Sequence, residues 1–337
     1  MRVALLGPVA WRTPPRHYGP WERVTGLLAE GLVARGVDVT LFATLDSLTS
    51  AGLDGVCPRG YAEDPTMDGR VWEAMHVAHA LARSAEFDVV HNHLDWLPLA
   101  FARHCRAPLL TTIHGFSGAG ILPAYAHARS SYVSISDADR SPALEYVATV
   151  HHGIDFDELP FAAGGGTGLV AFGRIHPDKG THTAIEIARL SGRTLTICGI
   201  VQDGQYFTEH VAPHVDGRRV VYLGSVGPGQ RAAVLGASAA LLHPIAFAEP
   251  FGLSVVESMA CGTPVVAYRR GSMPEVVDEG VTGFLVDTAE QAAAAVAAVA
   301  TIDRAGCRTR ARQRFGADRM VADYLRVYGD IAAGVRR

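Results

Sequence analysis

Lysine is almost missing from this chain: of 30 lysine and arginine residues, Lys179 is the one lysine. Arginine serves wherever a generic cation suffices. The single lysine therefore marks a position suited to a compact ammonium on a flexible stem, with chance as the plainer alternative. A basic excess is also missing. The net charge of −4 argues against a nucleic-acid-binding protein, which carries a basic face, and still allows a small anionic ligand held by local charge. Cysteine is scarce. Cys57, Cys105, Cys198, Cys261 and Cys307 are odd in number and show no CxxC spacing, which points to reduced structural thiols and a cytoplasmic location. No apolar run is long enough for a bilayer. The stretch Ala289 to Ala300 contains Glu290 and Gln291 and falls short of the ~20 residues a span needs. The apolar stretch after Met1 is too short for a signal peptide. No transmembrane segment is expected, while peripheral membrane contact stays open.

What is present is enough apolar material for two cores. The chain has 337 residues, 48% of them hydrophobic, and single cores stop growing near ~250–300 residues. Val3–Leu6 is a continuous apolar run and reads as a buried strand. A helix follows, with Gly19 as its cap, Pro20 at its first position and Val24, Leu27, Leu28 and Leu32 as its apolar stripe; Gly36 stops it. Further strands are expected at Val37–Phe42, Asp88–His91, Leu109–Ile113 and Ser131–Ile135. The glycine-rich stretch Ala162–Gly168 reads as a flexible linker. The alternation then restarts, with strands at Leu169–Phe172, Thr194–Cys198, Val220–Leu223, Ala239–His243, Pro264–Ala267 and Gly283–Val286. Strand–helix alternation implies parallel sheets with right-handed crossovers. The expected division is residues 1–158 and 159–316, with a last helix within 317–337 crossing back to the first domain. In such sheets ligands bind beyond the carboxyl ends of the strands.

The stretch Glu249-Pro-Phe-Gly-Leu-Ser-Val-Val-Glu257-Ser-Met-Ala-Cys-Gly-Thr-Pro264 carries the most chemistry. A helix starting near Gly252 leaves Glu249 in the loop before it and puts Glu257 in its second turn, so both acids can face a ligand at the helix N-terminus, where free N–H groups point. Carboxylates accept from pairs of sugar hydroxyls. The plainer reading is one acid favouring the helix dipole and one solvated glutamate. A second block is Phe172-Gly-Arg174-Ile-His-Pro-Asp-Lys179-Gly180. A third is Val150-His-His152-Gly-Ile-Asp155.

Taken in that order, the three blocks resemble glycosyltransferase family 4, retaining enzymes of the GT-B fold, over nearly the whole chain. The two-glutamate block is specific when it follows an arginine–lysine block. His152 stands where the family more often has asparagine. The resemblance implies an α/β protein of the GT-B fold, two Rossmann-like doubly wound domains facing across a cleft. It implies that Arg174 and Lys179 clamp the diphosphate of a nucleotide-sugar without a metal or other cofactor. Preorganised cations in a dry site stabilise the charge that builds on the leaving diphosphate. Glu249 would hold donor-sugar hydroxyls, helped by backbone N–H groups of Phe251, Gly252 and Leu253. Glu257 would hold the ribose, and the strand end at Leu223, Gly224 and Val226 would flank the base. Gly19 occupies the loop where the family brings backbone to the phosphates; its neighbours Tyr18, Pro20 and Trp21 replace the usual second glycine. Glu22 stands at the family's glutamate position and is expected to face the acceptor. His114 would lie beside the reacting carbon.

Three readings come from the residues themselves. Trp11, Tyr18 and Trp21 make an aromatic loop suited to an acceptor, a saccharide, a lipid or a natural-product scaffold. His91-Asn92-His93 with Asp95 reads as an acceptor-facing loop, or nearly as readily as a plain structural loop, before a metal site, because a third ligand is unclear. Asp137-Ala138-Asp139 imitates a metal-binding acid pair, but its place after Ser134-Ile-Ser136 reads as helix capping.

The implied reaction is transfer with retention: the diphosphate departs, the acceptor hydroxyl attacks on the same face, and a phosphate oxygen takes the proton. A glycosyl-enzyme route stays open. Domain closure about Gly164–Gly168 and the last helix would expel water. UDP-sugars are favoured as donors and GDP-mannose also fits, in antibiotic or glycan biosynthesis. The rivals are a UDP-sugar 2-epimerase of similar shape and a non-catalytic nucleotide-sugar-binding protein. A nicotinamide-dependent dehydrogenase ranks lower, since Gly7-Pro8-Val9-Ala10 stands where GxGxxG belongs.

Overall fold

A computed structural model describes residues 1–115 and 118–334. The chain divides into two compact units, Met1–Gly153 with Ala317–Arg337, and Ile154–Gly316. The boundary thus falls at Gly153/Ile154 instead of 158/159.

The first unit holds seven strands: β1 (Arg2–Leu6), β2 (Asp38–Phe42), β3 (Gly52–Asp54), β4 (Val89–Asn92), β5 (Leu109–Ile113), β6 (Ser131–Ser134) and β7 (Ala148–Thr149). All pair in parallel, in the order β3-β2-β1-β4-β5-β6-β7. The second unit holds six: β8 (Leu169–Phe172), β9 (Leu195–Cys198), β10 (Val220–Tyr222), β11 (Ala240–His243), β12 (Val265–Tyr268) and β13 (Gly283–Val286). Their order is β10-β9-β8-β11-β12-β13, again all parallel. Parallel strands covered on both faces read as unbroken apolar runs, which is why the central strands were legible. The short edge strands β3 and β7 carry too little apolar sequence to announce themselves.

The longer helices are α1 (Pro20–Val33), α2 (Gly69–Ala82), α3 (Thr181–Leu190), α4 (Pro228–Gly236), α5 (Leu253–Ala260), α6 (Ala289–Ala298), α7 (Arg304–Phe315) and α8 (Ala317–Ala332). The expected last helix is α8. Its residues Met320, Val321, Tyr324, Val327 and Tyr328 are buried at helical spacing, and it packs on α1 and β4 of the first unit. Residues 335–337 of the expected segment lie outside the described residues. Among the described residues no helix is long and apolar enough to cross a membrane.

The stretch Ala162–Gly168 is not a linker between units. It lies inside the second unit, where Ala162 N donates to Cys261 O (3.1 Å) and Gly166 N to Ala237 O (2.8 Å). A Cβ on Gly166 would stand 2.2 Å from that Ala237 oxygen, so the glycine serves close approach of backbone and not flexibility. The helix expected after Asp137-Ala138-Asp139 is also absent. Ser136 Oγ accepts from Asp139 N (3.1 Å) in a bend, a local side-chain turn that imitates a cap.

Both sheets reverse direction at their first strand. The order runs one way from β1 through β2 and the other way through β4, and likewise from β8 through β9 and through β11. At such a switch point the loops leaving two adjacent strands part and open a crevice at the strands' carboxyl ends.

Candidate active site

In the second unit the switch-point loops are residues 173–180 after β8 and 244–252 after β11. They are tied together. Ala246 N donates to Asp178 O (2.7 Å). Gly180 has a left-handed φ of 65°, and a Cβ there would stand 2.0 Å from Pro244 O, so only glycine lets the loops meet. The result is contact between the only lysine and the first glutamate of the acidic block: Lys179 Nζ donates to Glu249 Oε2 at 2.6 Å. The ammonium also lies 4.6 Å from the centre of the Phe247 ring, a favourable place for a cation. His243, the last residue of β11, sets its Nε2 3.4 Å from the same carboxylate oxygen. Burial would raise the Glu249 carboxyl. Hydrogen bonding and charge from His243 and Lys179 outweigh it and hold the group down at about 2.

Arg174 joins Lys179, Thr181 and His243 in lining one pocket, over Phe172 and Gly173. Its guanidinium donates to Gln202 Oε1. Glu257 is buried on α5 and accepts from Arg231 Nη1 of α4 at 2.7 Å. It is no solvated surface acid. The Arg231 guanidinium lies 5.3 Å from the Phe172 ring centre, so this second ion pair adjoins the same pocket. Phe251 keeps its side chain in the core, edge-on to Phe315 at 5.7 Å; Gly252 precedes α5 and Leu253 opens it. Leu223 is exposed after β10, whereas Val226 is buried, which leaves Leu223 as the accessible side chain of that pair. His243, Phe247, Arg231 and Gln202 were not singled out from sequence. His243 alone carried a signal, a polar residue at the carboxyl end of an apolar strand run.

The first unit presents a different chemistry at its switch point, where the loops leave β1 and β4. Glu22, in the first turn of α1, is buried, and its Oε1 accepts from Trp11 N at 3.2 Å. Burial pushes its carboxyl up to about 7, only partly offset by backbone hydrogen bonds. Gly19 stands against that carboxylate: a Cβ there would come within 2.9 Å of Glu22 Oε2. Trp11 and Tyr18 meet edge to face at 6.2 Å, and Trp21 stacks on His114 with ring centres 5.3 Å apart. These three aromatics are part-exposed.

His114 ends the β5 segment as expected, but it is no cation. Burial pushes its imidazole down to about 3, and both ring nitrogens are engaged, Nε2 with His93 Nδ1 (2.9 Å) and Nδ1 with His152 Nε2 (3.3 Å). His91 does not face an acceptor. It is fully buried, with Nδ1 2.7 Å from Tyr328 Oη and Nε2 2.7 Å from Thr112 Oγ1. A residue on a central parallel strand is covered from both faces, which overrides its polarity. Asp95 is likewise held within the fold: Tyr125 donates to its carboxylate, Asn92 Nδ2 donates to its carbonyl at 2.8 Å, and burial raises its carboxyl. Among the described residues no three histidine, cysteine, aspartate or glutamate side chains are grouped to hold a metal ion.

Known proteins resemble the chain in sequence and in fold. Residues 163–316 match the family described as glycosyl transferases group 1, and residues 21–158 match glycosyltransferase family 4. The chain is 28% identical over 384 residues to a glycogen synthase of Mycobacterium tuberculosis, covering 96% of this chain and 91% of that protein. It is 27% identical over 324 residues to a D-inositol 3-phosphate glycosyltransferase of Pseudarthrobacter chlorophenolicus, covering 77% and 76%. Among solved structures it resembles AviGT4, a glycosyltransferase involved in avilamycin A biosynthesis, with a TM-score of 0.76 at 24% identity over 99% of this chain and 98% of that one, a likeness of fold.

Proposed function

Because the chain belongs to glycosyltransferase family 4 and has its two-domain GT-B fold, and so transfers sugar from a nucleotide-sugar donor, we propose that it is a retaining enzyme that needs no metal, takes a UDP-sugar in preference to GDP-mannose, and glycosylates a hydroxyl of a saccharide, lipid or natural-product scaffold. The observation that carries the reading is the 2.6 Å contact of Lys179 with Glu249, where Lys179 and Arg174 line one switch-point pocket.

The pair explains how the site works. Without donor, ammonium and carboxylate neutralise each other. An arriving diphosphate competes for the ammonium with more negative charge and more acceptor oxygens, and Arg174 adds a bidentate fork. Glu249, released from Lys179 but still 3.4 Å from His243 Nε2, accepts from the donor's sugar hydroxyls beside the N–H groups that open α5. As the glycosidic bond breaks, charge grows on the diphosphate, where the two cations are already placed. They supply the stabilisation that a divalent ion supplies elsewhere. Glu257, oriented by Arg231, grips the ribose. The first unit, with Trp11, Tyr18 and Trp21 part-exposed, offers the acceptor ring apolar faces. The acceptor hydroxyl attacks on the face the diphosphate leaves, and a phosphate oxygen takes its proton.

The test is a panel of UDP, GDP, TDP and ADP scored by thermal shift, followed by transfer assays in the presence of a chelator. UDP should give the largest shift, and the product should keep the donor's anomeric configuration. Release of free, epimerised sugar without any acceptor would replace this reading by the epimerase one.

A further inference from the structure

Four histidines of the first unit stand in single file through its core. His91 Nδ1 lies 3.1 Å from His93 Nε2, and the contacts of His93 with His114 and of His114 with His152 continue the line. At the far end Thr112 Oγ1, bonded to His91 Nε2, also lies 2.8 Å from Tyr324 Oη, and Tyr328 Oη touches His91 Nδ1. Tyr324 and Tyr328 belong to α8. All four rings are buried, with His114 the most exposed at 8%.

A neutral imidazole offers one N–H and one lone pair. Each ring-to-ring contact needs one of each. Placing the proton on any one ring therefore places it on the next, and the file has two arrangements: every proton on Nδ1, or every proton on Nε2. A mixture would set two N–H groups or two lone pairs face to face inside the core. We propose that His91, His93 and His152 are positioning residues that lock His114 in one tautomer, with the polarity of the whole file set by the hydroxyls of Thr112 and of α8. Aligned N–H dipoles strengthen one another along such a chain, so His114, stacked under Trp21 at the carboxyl end of β5, presents a fixed dipole to whatever binds there. The other groups near the file are His151 and Arg319, the latter donating to the His151 and His152 carbonyls and paired with Asp323 at 2.6 Å. They oppose protonation of His152. Burial holds all four histidines below the ordinary imidazole value.

The consequence for turnover rests on the transferase reading, whereas the proton order does not. The full chain carrying nitrogen-15 histidine should show one and the same tautomer at all four rings, with none titrating between about pH 8 and 5.5. Two different tautomers, or one ring titrating in that range, would overturn the proposal. Tyr328→Phe should shift the tautomer populations of all four rings together; a change confined to His91, or none, would overturn the coupling. His152→Leu frees one nitrogen of His114 and should lower kcat roughly tenfold while leaving donor KM within about twofold. Equal kcat in that variant, or parallel losses in kcat and donor affinity, would remove the positioning role. Absence of sugar transfer by the unmodified chain would sink the transferase reading and leave the spectra to decide the file.

Discussion

The two units solve the same topological problem with opposite electrostatics. Each has a parallel sheet that reverses at its first strand. The second unit fills the crevice with charge: Lys179 against Glu249, Arg231 against Glu257, both largely buried. The first unit instead buries groups held neutral: His91, His93, His114 and His152 kept unprotonated, and Glu22 kept protonated up to about 7. The backbone decides where a ligand can sit. The side chains decide whether the ligand meets an ion or a dipole.

Removing one charge from the second unit should break the contrast most severely. Lys179→Ala is expected to lower kcat/KM for the donor by roughly a thousandfold, the scale on which single preorganised electrostatic groups act, and to weaken nucleoside-diphosphate binding in calorimetry. An activity within tenfold of the parent would remove Lys179 from the diphosphate site. Next comes stability. Arg231→Met strands the Glu257 carboxylate in a buried site and should cost about 3–5 kcal/mol, whereas the paired change with Glu257→Leu should recover much of it. Chemical denaturation of both variants measures this, and equal losses in the two would mean that the pair is not coupled.

The contrast also predicts an order of acid unfolding. Folding depresses His91, His93, His114, His152 and also His76 below 6.5, the ordinary value. Their contribution is therefore whole above pH 6.5. It is lost as pH falls below that, at about 1.4 kcal/mol per pH unit for each group. Glu22, raised from 4.5 to about 7, acts in the other direction, weakening the fold as pH rises between those values, but it is one group against five. Glu249, lowered to about 2, stabilises the second unit above pH 4.5 and loses that effect as pH falls towards 2. The first unit should yield first. All four tryptophans, Trp11, Trp21, Trp72 and Trp96, lie in it, so their fluorescence should change at a higher pH than the bulk of the circular dichroism. A single coincident transition would contradict the difference between the units. The smallest effect expected is from His243→Asn. It removes one of the groups that hold the Glu249 carboxyl down and should raise that group's titration by up to about one unit, read as a shift in the acid limb of the kcat/KM profile.

Much of the fold was legible because its central strands are buried on both faces. Val3–Leu6 within β1 and Leu169–Phe172, which is β8, are unbroken apolar runs. The strands β3 and β7 were not, since Gly52–Asp54 and Ala148–Thr149 are short and carry little apolar sequence. The glycines from Gly164 to Gly168 misled, because composition does not distinguish glycine chosen for freedom from glycine chosen for closeness, as at Gly166. On the charged side, Lys179, Arg174, Glu249 and Glu257 stood out by residue type and spacing. Their partners did not. Arg231 is one arginine among many, and Gln202 lies in an unremarkable turn. From sequence, His91 fits an acceptor-facing loop only a little better than a structural one. Its role depends on Tyr328, which is 237 positions away in sequence.

Sequence alone determined the strand–helix alternation, the existence of two units and the chemical identity of the candidate cations Arg174 and Lys179. These follow from local periodicity and from residue types whose chemistry travels with them. Tertiary structure decided which histidines are neutral, which carboxylate is ionised and which arginine holds Glu257. Ionisation is set by burial and by the nearest charge, and both come from residues that meet only when the chain has folded.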